Sequence, residues 1–282
     1  EALTADISRM KKLGFNMLRK HAKIEPERFY YHCDQLGMLV WQDMVNGGSA
    51  YKHWFVTYLA TLMNWNHISF SDDEKHAGLL SRLHPEGKDE FRREITETIA
   101  FLYNHPSIVV WVPFNEGWGQ FDALAACEQI RTLDSSRLVD HASGWFDQKG
   151  GDILSLHYYF LKLKFKPEGK RAAALTEFGG YSLSIPGHSC CKKVYGYKKF
   201  NSTGALTYGY IDLIRQTILP AVKKGIGATV YTQLSDIEEE TNGIYTYDRE
   251  ICKIDPDTLR KWNRALKEAG ECKTYADHPT DH

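Results

Sequence analysis

The sequence lacks three features that would define its class at once: a long apolar run, an excess of charge of one sign and a paired-cysteine motif. No apolar run approaches the length of a membrane span, and the N-terminus lacks the basic-then-apolar pattern of a signal peptide. The 35 basic and 36 acidic residues are interspersed, so we expect neither nucleic acid nor a membrane as partner. We expect a soluble protein of the cytoplasm or, if a signal peptide has been removed, of the periplasm or exterior.

The six cysteines show no Cys-x-x-Cys pair and no zinc-like spacing. Cys33 and Cys127 fall on the apolar faces of predicted helices, where a free thiol behaves as a small hydrophobic side chain. We therefore predict no metal and no cofactor, and the redox state of the compartment stays open.

Hydrophobic residues make up 43% of the 282 positions, which is enough for a large core, and their pattern alternates helices with strands. The predicted strands are 15–19, 38–43, 107–112, 137–141, 152–156, 172–177 and 227–234. The predicted helices include one ended by Gly37, one with Leu124, Cys127, Ile130 and Leu133 on one face, one over 206–224 bent by Pro220, and one stopped by Gly270. Helices and strands in alternation are typical of a parallel α/β sheet.

Seven strands that follow an initial helix have the order of an α/β fold of the (β/α)8 TIM-barrel type that lacks only its first strand. A doubly wound open sheet is the competing architecture. We prefer the barrel because polar residues recur at the C-terminal ends of nearly all seven strands. The predicted barrel domain covers residues 1–270, and residues 271–282 form a polar tail.

These polar side chains would converge on one mouth of a barrel, where barrel enzymes carry out their chemistry. The set comprises Arg19, His21, Asp43, Asn115, Glu116, His141, His157, Tyr159, Glu177, Gln233 and Asp236. Any one of them alone could be a helix cap or a rim salt bridge, and for His141 we prefer that interpretation. Glu116 and Glu177 together differ, because each ends an apolar strand and the two would face each other across the mouth.

Two carboxylates across a pocket are what the cleavage of a glycosidic bond requires. One protonates the departing oxygen, and the other attacks the sugar or activates water. Trp118 and Trp145 lie in loops beside the pair, and their flat faces suit the C–H surface of a sugar ring, although a loop Trp is as often a packed lid.

Several motifs resemble glycoside hydrolase family two, the family of β-galactosidases and β-glucuronidases. They are residues 15–21 (FNMLRKH), 36–43 (LGMLVWQD) and 104–108 (NHPSI), together with Asn115-Glu116 and the run from Thr176 to Gly180. The resemblance covers about residues 1 to 270 and implies a retaining glycosidase acting on a terminal β-linked sugar. It also implies β-sandwich domains upstream, and a homo-oligomer is left open.

The resemblance further implies roles for single residues. Glu116 would be the acid/base, Glu177 the nucleophile, Asn115 a hydrogen-bond partner of the sugar 2-hydroxyl, and Tyr159 a support for the nucleophile. The other predicted substrate-binding residues are Arg19, His21, Asp43, Trp118, Trp145, His157, Gln233 and Asp236.

Two departures leave the substrate open. The run from Asn242 to Tyr245 lacks the lysine with which β-glucuronidases hold a sugar carboxylate, and the run from Asp43 to Val45 lacks the Glu-x-His of large bacterial β-galactosidases. Two alternatives also stay open: a non-catalytic barrel remnant, and a metal-dependent amidohydrolase with His141, His157 and Asp236 among its ligands.

The long segment 44–85 interrupts the helix–strand rhythm and follows a strand, so in a barrel it would emerge at the catalytic mouth. We expect this segment to shape substrate choice through its aromatic and histidine side chains. They are Tyr51, His53, Trp54, Tyr58, Trp65 and His67.

Overall fold

The computed structural model describes residues 2–52, 54–65, 68, 70–159, 163–191 and 193–276. The chain divides into two compact units. Unit 1 comprises Glu1–Ile7, Asn16–His157 and Glu168–Ala172, and unit 2 comprises Ser8–Phe15, Tyr158–Pro167 and Ala173–His282. His53 and His67 lie outside the described residues.

Unit 1 repeats a strand-then-helix pattern, preceded by the initial helix α1, whose C-terminal half belongs to unit 2. In chain order the elements are α1 (Ala2–Lys12), β1 (Met17–Lys20), α2 (Glu27–Leu36), β2 (Leu39–Asp43), α3 (Ala60–Trp65), α4 (Pro85–Leu102), β3 (Ile108–Val112), α5 (Ala123–Leu133), β4 (Leu138–Val139) and β5 (Ile153–Tyr158). Strands β1 to β4 pair in parallel and in chain order, which places their C-terminal ends along one edge of the sheet.

Unit 2 contains the remaining strands and helices. They are β6 (Ala172–Gly179), β7 (Tyr181–Ser182), β8 (Lys198–Lys199), α6 (Thr203–Leu213), α7 (Leu219–Lys223), β9 (Ile226–Thr232) and α8 (Pro256–Ala276). Strands β6 and β9 pair in parallel, and β7 and β8 form a second, two-residue parallel pair. All seven predicted strands are therefore present, as β1 to β6 and β9. The β7–β8 pair was not predicted, since two-residue strands show no periodicity.

The helix expected over 206–224 is interrupted as predicted. A π-helical turn, Ile214–Ile218, separates α6 from α7, and Pro220 is the second residue of α7. Proline has no N–H and its ring clashes with the carbonyl four residues earlier, which accounts for the disturbed turn just before it.

Two predictions about helices were wrong in detail. In α5 the buried side chains are Ala123, Ala126, Cys127 and Ile130, whereas Leu124 and Leu133 are exposed. The helix packs against α4. In unit 2, α8 does not stop at Gly270 but continues to Ala276. A glycine inside a helix costs only about 1 kcal/mol relative to alanine, and α8 packs against α7 in this region of the chain.

The segment after β2 is helical and covers part of unit 1. A π-helical turn, Trp54–Leu59, runs into α3, and a short 3-10 helix, Glu74–His76, follows. Phe55, Ala60 and Leu80 form a buried cluster with Phe146. The expected insertion therefore carries its own apolar core. No helix of the described residues is both long and apolar enough to cross a membrane.

Candidate active site

Three neighbouring strands of unit 1 bring together an arginine, an aspartate and an asparagine. Arg19 in β1 donates from Nε to Asp43 Oδ1 at 3.0 Å and from NH2 to Asp43 Oδ2 at 2.8 Å. The same NH2 donates to Asn115 Oδ1 at 2.7 Å. His21 Nδ1 lies 2.9 Å from Asp43 Oδ2. These four residues therefore lie together at one edge of the sheet, and their role in substrate binding stays a prediction.

Asp43 is buried beneath this group, with 2% of its surface exposed. Burial alone would raise the pKa of Asp43, but the adjacent Arg19 and the hydrogen-bonded His21 outweigh it and hold the pKa below its usual range. Asp43 therefore stays ionised, and it fixes the orientation of the Arg19 and His21 side chains.

Glu116 follows Asn115 in an unusual backbone conformation. Its φ is +51°, a left-handed value that costs a non-glycine residue about 1–2 kcal/mol, and such values cluster at functional sites. The Glu116 N–H donates to Ser143 O at 2.9 Å, which links the loop after β3 to the loop after β4. The neighbouring loop therefore holds the turn and with it the direction of the Glu116 side chain.

The Glu116 carboxylate contacts a buried histidine. His157 Nδ1 lies 2.7 Å from Glu116 Oε1, and His157 Nε2 lies 3.2 Å from the Ser143 hydroxyl. The histidine side chain is 1% exposed and the Glu116 side chain 17%. The His157 ring packs directly against Gly144. A Cβ added at Gly144 would lie 2.5 Å from the ring, so a larger residue there would clash with it. The sequence placed His157 at a strand end but did not indicate that its partner is Glu116.

A cavity of about 320 Å³ opens beside Glu116 in unit 1. Its polar lining includes His21, Asp43 and Asn115, and its aromatic lining includes Tyr51 and Trp118. The 44–85 segment thus contributes to the cavity through Tyr51. Trp54 and Tyr58 point to solvent, with 57% and 74% of their surfaces exposed. The side chain of Trp65 lies outside the described residues.

The two predicted tryptophans differ in position. Trp118 lines the cavity and packs edge-on against Tyr51, with ring centroids 4.5 Å apart. Trp145 packs against the apolar cluster around Phe55 and Phe146. That placement favours the packed-lid interpretation for Trp145, and a substrate contact for it stays a prediction.

In unit 2, Glu177 lies in β6 and is held by a tyrosine. Tyr159 Oη donates to Glu177 Oε2 at 2.5 Å, and the Tyr159 hydroxyl lies 3.0 Å from Thr232 Oγ1 on β9. The Tyr159 ring stacks on Tyr197 with centroids 3.9 Å apart and an angle of 10°. Gly180 makes room for Tyr197, whose ring would lie 2.4 Å from an added Cβ. Sequence reasoning found Tyr159 and missed Tyr197.

The two residues predicted after β9 are held by other side chains of unit 2. Gln233 Nε2 donates to Asn242 Oδ1 at 2.6 Å and to Glu240 Oε2 at 2.8 Å. Asp236 is 2% exposed and accepts from Lys253 Nζ at 2.6 Å. Burial raises the pKa of Asp236 and lowers that of Lys253, although their mutual attraction opposes both shifts. This ion pair fixes the loop that carries Gln233, and direct binding of substrate by Asp236 stays a prediction.

Two further buried groups of unit 1 lie close to the strand ends. His141 is 1% exposed and its Nε2 accepts from the Gln148 N–H at 3.0 Å, so its preferred interpretation as a structural residue agrees with its contacts.

Asp140 is fully buried, and neither of its carboxylate oxygens makes a hydrogen bond of acceptable geometry within the described residues. Burial raises the pKa of Asp140 to about 6, partly offset by attraction to Arg19 and His141. Sequence reasoning did not single out Asp140.

The strand order and these contacts define a barrel-type α/β domain with two carboxylates at strand ends. A family model described as "Glycosyl hydrolases family 2, TIM barrel domain" matches residues 1–217. Because the match covers most of the chain, this chain belongs to glycoside hydrolase family 2, and the predicted barrel fold and family are confirmed.

Named relatives agree with this assignment. A β-galactosidase of Leuconostoc mesenteroides is 26% identical over 285 residues, which cover 96% of this chain and 24% of that protein. The GH2 β-galacturonidase of Eisenbergiella tayi bound to galacturonate has a similar structure, with a TM-score of 0.62 and 19% identity over 94% of this chain and 47% of the other. The β-D-glucuronidase of Dictyoglomus thermophilum gives a TM-score of 0.65 with 14% identity over 93% of this chain and 47% of the other.

The chain thus spans less than half the length of these three proteins. The family membership favours the glycosidase over the amidohydrolase alternative. Two ligands that the amidohydrolase would need are also engaged otherwise, His157 with Glu116 and Asp236 with Lys253.

Proposed function

We propose that the full-length protein is a retaining β-glycosidase that releases a terminal β-linked sugar, with Glu116 as acid/base and Glu177 as nucleophile. The observation that carries the proposal is that Glu116 follows β3 and Glu177 lies near the C-terminal end of β6, and that each has one carboxylate oxygen held by a buried or stacked ring. His157 contacts Oε1 of Glu116, and Tyr159 donates to Oε2 of Glu177.

The environment of Glu116 suits proton transfer. With a proton on Nδ1, His157 donates to Glu116 Oε1, while its Nε2 accepts from the Ser143 hydroxyl. Glu116 then carries its own proton on the other oxygen and gives it to the glycosidic oxygen as the bond to the sugar breaks. In the second step Glu116 removes a proton from the attacking water.

The environment of Glu177 suits nucleophilic attack. The Tyr159 hydroxyl donates to Glu177 Oε2, and a hydrogen bond donated to the charged form of a carboxyl group favours that form. The ionised oxygen attacks the anomeric carbon, and the electron pair of the broken bond leaves with the glycosidic oxygen. Water later displaces Glu177, so that two inversions give net retention.

For the substrate, we propose a β-galactoside as the first candidate. The 26% identity to a β-galactosidase over nearly the whole chain supports this choice. The polar lining of the unit 1 cavity by His21, Asp43 and Asn115 supports binding of sugar hydroxyl groups. The upstream β-sandwich domains and a homo-oligomer stay predictions, which the mass of the full-length protein and its assemblies in solution tests.

The test combines a screen with two substitutions. The full-length protein is assayed against a panel of nitrophenyl β-glycosides, and then Glu116→Ala and Glu177→Ala are compared with Glu97→Gln, a change at an exposed residue of α4. We expect both active-site variants to lose about 10²–10⁴-fold in kcat/KM and the control to lose nothing measurable.

Added azide then separates the two roles. In Glu116→Ala azide should attack the glycosyl-enzyme and give a β-glycosyl azide, whereas in Glu177→Ala it should attack the substrate directly and give the α-anomer, as NMR can show. The same anomer from both variants would contradict the assignment. A full-length protein that is folded but inactive on the whole panel would instead support the non-catalytic remnant.

A further inference from the structure

Arg82 is a buried cation whose three hydrogen bonds join separate segments of unit 1. It is 7% exposed, and its guanidinium lies 5.2 Å from the ring centres of both Phe91 and Phe121. Its Nε donates to Gly119 O at 2.9 Å, its NH1 to Gly87 O at 2.8 Å and its NH2 to Asn46 Oδ1 at 2.5 Å. A planar guanidinium can serve three acceptors in fixed directions, which a lysine ammonium cannot do in the same geometry.

Two of these acceptors belong to loops that border the cavity beside Glu116. Asn46 is in the loop after β2, and Gly119 follows Trp118 in the loop after β3. The Asn46 side-chain amide also donates to Trp118 O, so Arg82, Asn46 and Trp118 form a continuous chain of contacts. Arg82 therefore fixes the distance between the two loops.

The cavity has a polar wall and an aromatic wall. His21, Asp43 and Asn115 supply hydrogen-bonding groups suited to sugar hydroxyls, while Tyr51 and Trp118 supply ring surface. Glu116 also lines the cavity. Because an acid/base must reach the glycosidic oxygen, the leaving group begins within hydrogen-bond distance of Glu116. A flat leaving group could then pack on the rings of Tyr51 and Trp118.

We propose that Asn46, Tyr51 and Trp118 form the subsite for the leaving group of the glycoside, and that Arg82 is the positioning residue that holds this subsite together. The inference rests on the proposed function, since it takes Glu116 as the acid. The leaving group it accommodates is a six-membered ring with an apolar face, either an aryl group or a second sugar.

The test uses three substrates that share the sugar the full-length protein cleaves best. They are the glycosyl fluoride, whose leaving group is a single atom, the nitrophenyl β-glycoside and a β-linked disaccharide. The first variant is Arg82→Lys, which keeps the positive charge but removes the planar guanidinium with its three directed donors. The second is Tyr51→Leu, which removes one aromatic ring and keeps Arg82 in the sequence. Arg93→Lys on the exposed face of α4 is the matched control.

We expect kcat/KM of Arg82→Lys and Tyr51→Leu to fall about tenfold more for a ring-bearing substrate than for the fluoride, mainly through KM. A selective fall for the nitrophenyl glycoside alone identifies an aryl occupant, and a fall for the disaccharide alone identifies a sugar. Equal losses on all three substrates, or no loss on any, would overturn the proposal.

Binding without turnover separates this proposal from the proposed function. Phenyl and methyl 1-thio-β-glycosides are compared by calorimetry with the full-length protein. Tighter binding of the phenyl ligand that disappears in Arg82→Lys supports the subsite even if no substrate is cleaved. Equal binding of both ligands by the unsubstituted protein refutes the subsite whatever the activity.

Discussion

Replacing Asp140 by asparagine should make the protein more stable at neutral and alkaline pH. Asp140 lies just beyond β4, fully buried, with no hydrogen bond of acceptable geometry to its carboxylate oxygens in the part of the chain that the structure describes. A charge buried so deeply is unfavourable even with Arg19, His141 and the Ser155 hydroxyl nearby, and burial accordingly raises the pKa of Asp140 to about 6. Asparagine has nearly the same shape and carries no charge.

The sign of the pH dependence follows from the raised pKa. The folded protein holds the Asp140 proton more tightly than the unfolded chain does, so the free energy of unfolding falls as pH rises from about 4 through about 6 and is level above that. The raised pKa corresponds to about 3 kcal/mol lost across this range. Asp140→Asn should therefore gain up to about 3 kcal/mol above pH 7 and nothing below pH 4.

Thermal and urea unfolding of both proteins at intervals from pH 4 to pH 8 measures this difference. In a domain of 150–250 residues, each kcal/mol shifts the melting temperature by about 2–4 °C. Asp89→Asn removes the same charge from an exposed position and serves as control, with no comparable pH-dependent gain. Stability curves of Asp140→Asn and the unsubstituted protein that run parallel over the whole pH range would refute the reasoning.

Two further predictions concern the site and the core. Gly144→Ala would place a methyl group against the His157 ring, so we expect at least a tenfold lower kcat with a displaced pH–rate profile, whereas Gly204→Ala, with open space around its Cα, should change neither. The pKa of Asp134 is lowered to about 2, because hydrogen bonds from Ser136, Arg137 and Trp111 outweigh the effect of burial. Asp134→Asn should therefore destabilise the protein at pH 7, and the loss should shrink as pH falls through 4 towards 2, as urea unfolding at each pH can show.

The positions of strands and strand-end residues could be predicted from the sequence because they depend on local patterns. An apolar run such as Ile108–Val112 is typical of a strand that other elements cover on both faces. The polar residues that follow the strand then lie at the edge of the sheet. The pattern was less informative where two faces of one helix are similar. In α5, apolar residues repeat at helical spacing both from Ala123 and from Leu124, so the sequence offers two possible buried faces. The folded helix, which packs against α4, buries the face that includes Ala123.

The partners of the site residues could not be predicted, because they come from distant parts of the chain. The pKa of Asp140 depends on its burial and on the charges of Arg19 and His141, and Arg19 is distant in the sequence. Arg82 lies in a segment without regular periodicity, and its acceptors are two backbone carbonyls and one amide. Backbone acceptors are offered by every residue, so no residue type in the sequence indicates such a contact.

Two glycines lie where the rings that support the two glutamates pack against the backbone. Gly144 and Gly180 both stand in loops after strands, and each has an aromatic ring where a Cβ would lie: His157 on Gly144 and Tyr197 on Gly180. In both units the ring that packs against the glycine helps to hold a carboxylate. His157 contacts Glu116 directly, and Tyr197 stacks on Tyr159, which donates to Glu177. A ring that packs directly on backbone has little freedom to turn, so its hydrogen-bonding atom stays aimed at the carboxylate before any substrate arrives. Fixed donors of this kind need no reorganisation during the reaction, which is the condition under which hydrogen bonds contribute most to catalysis.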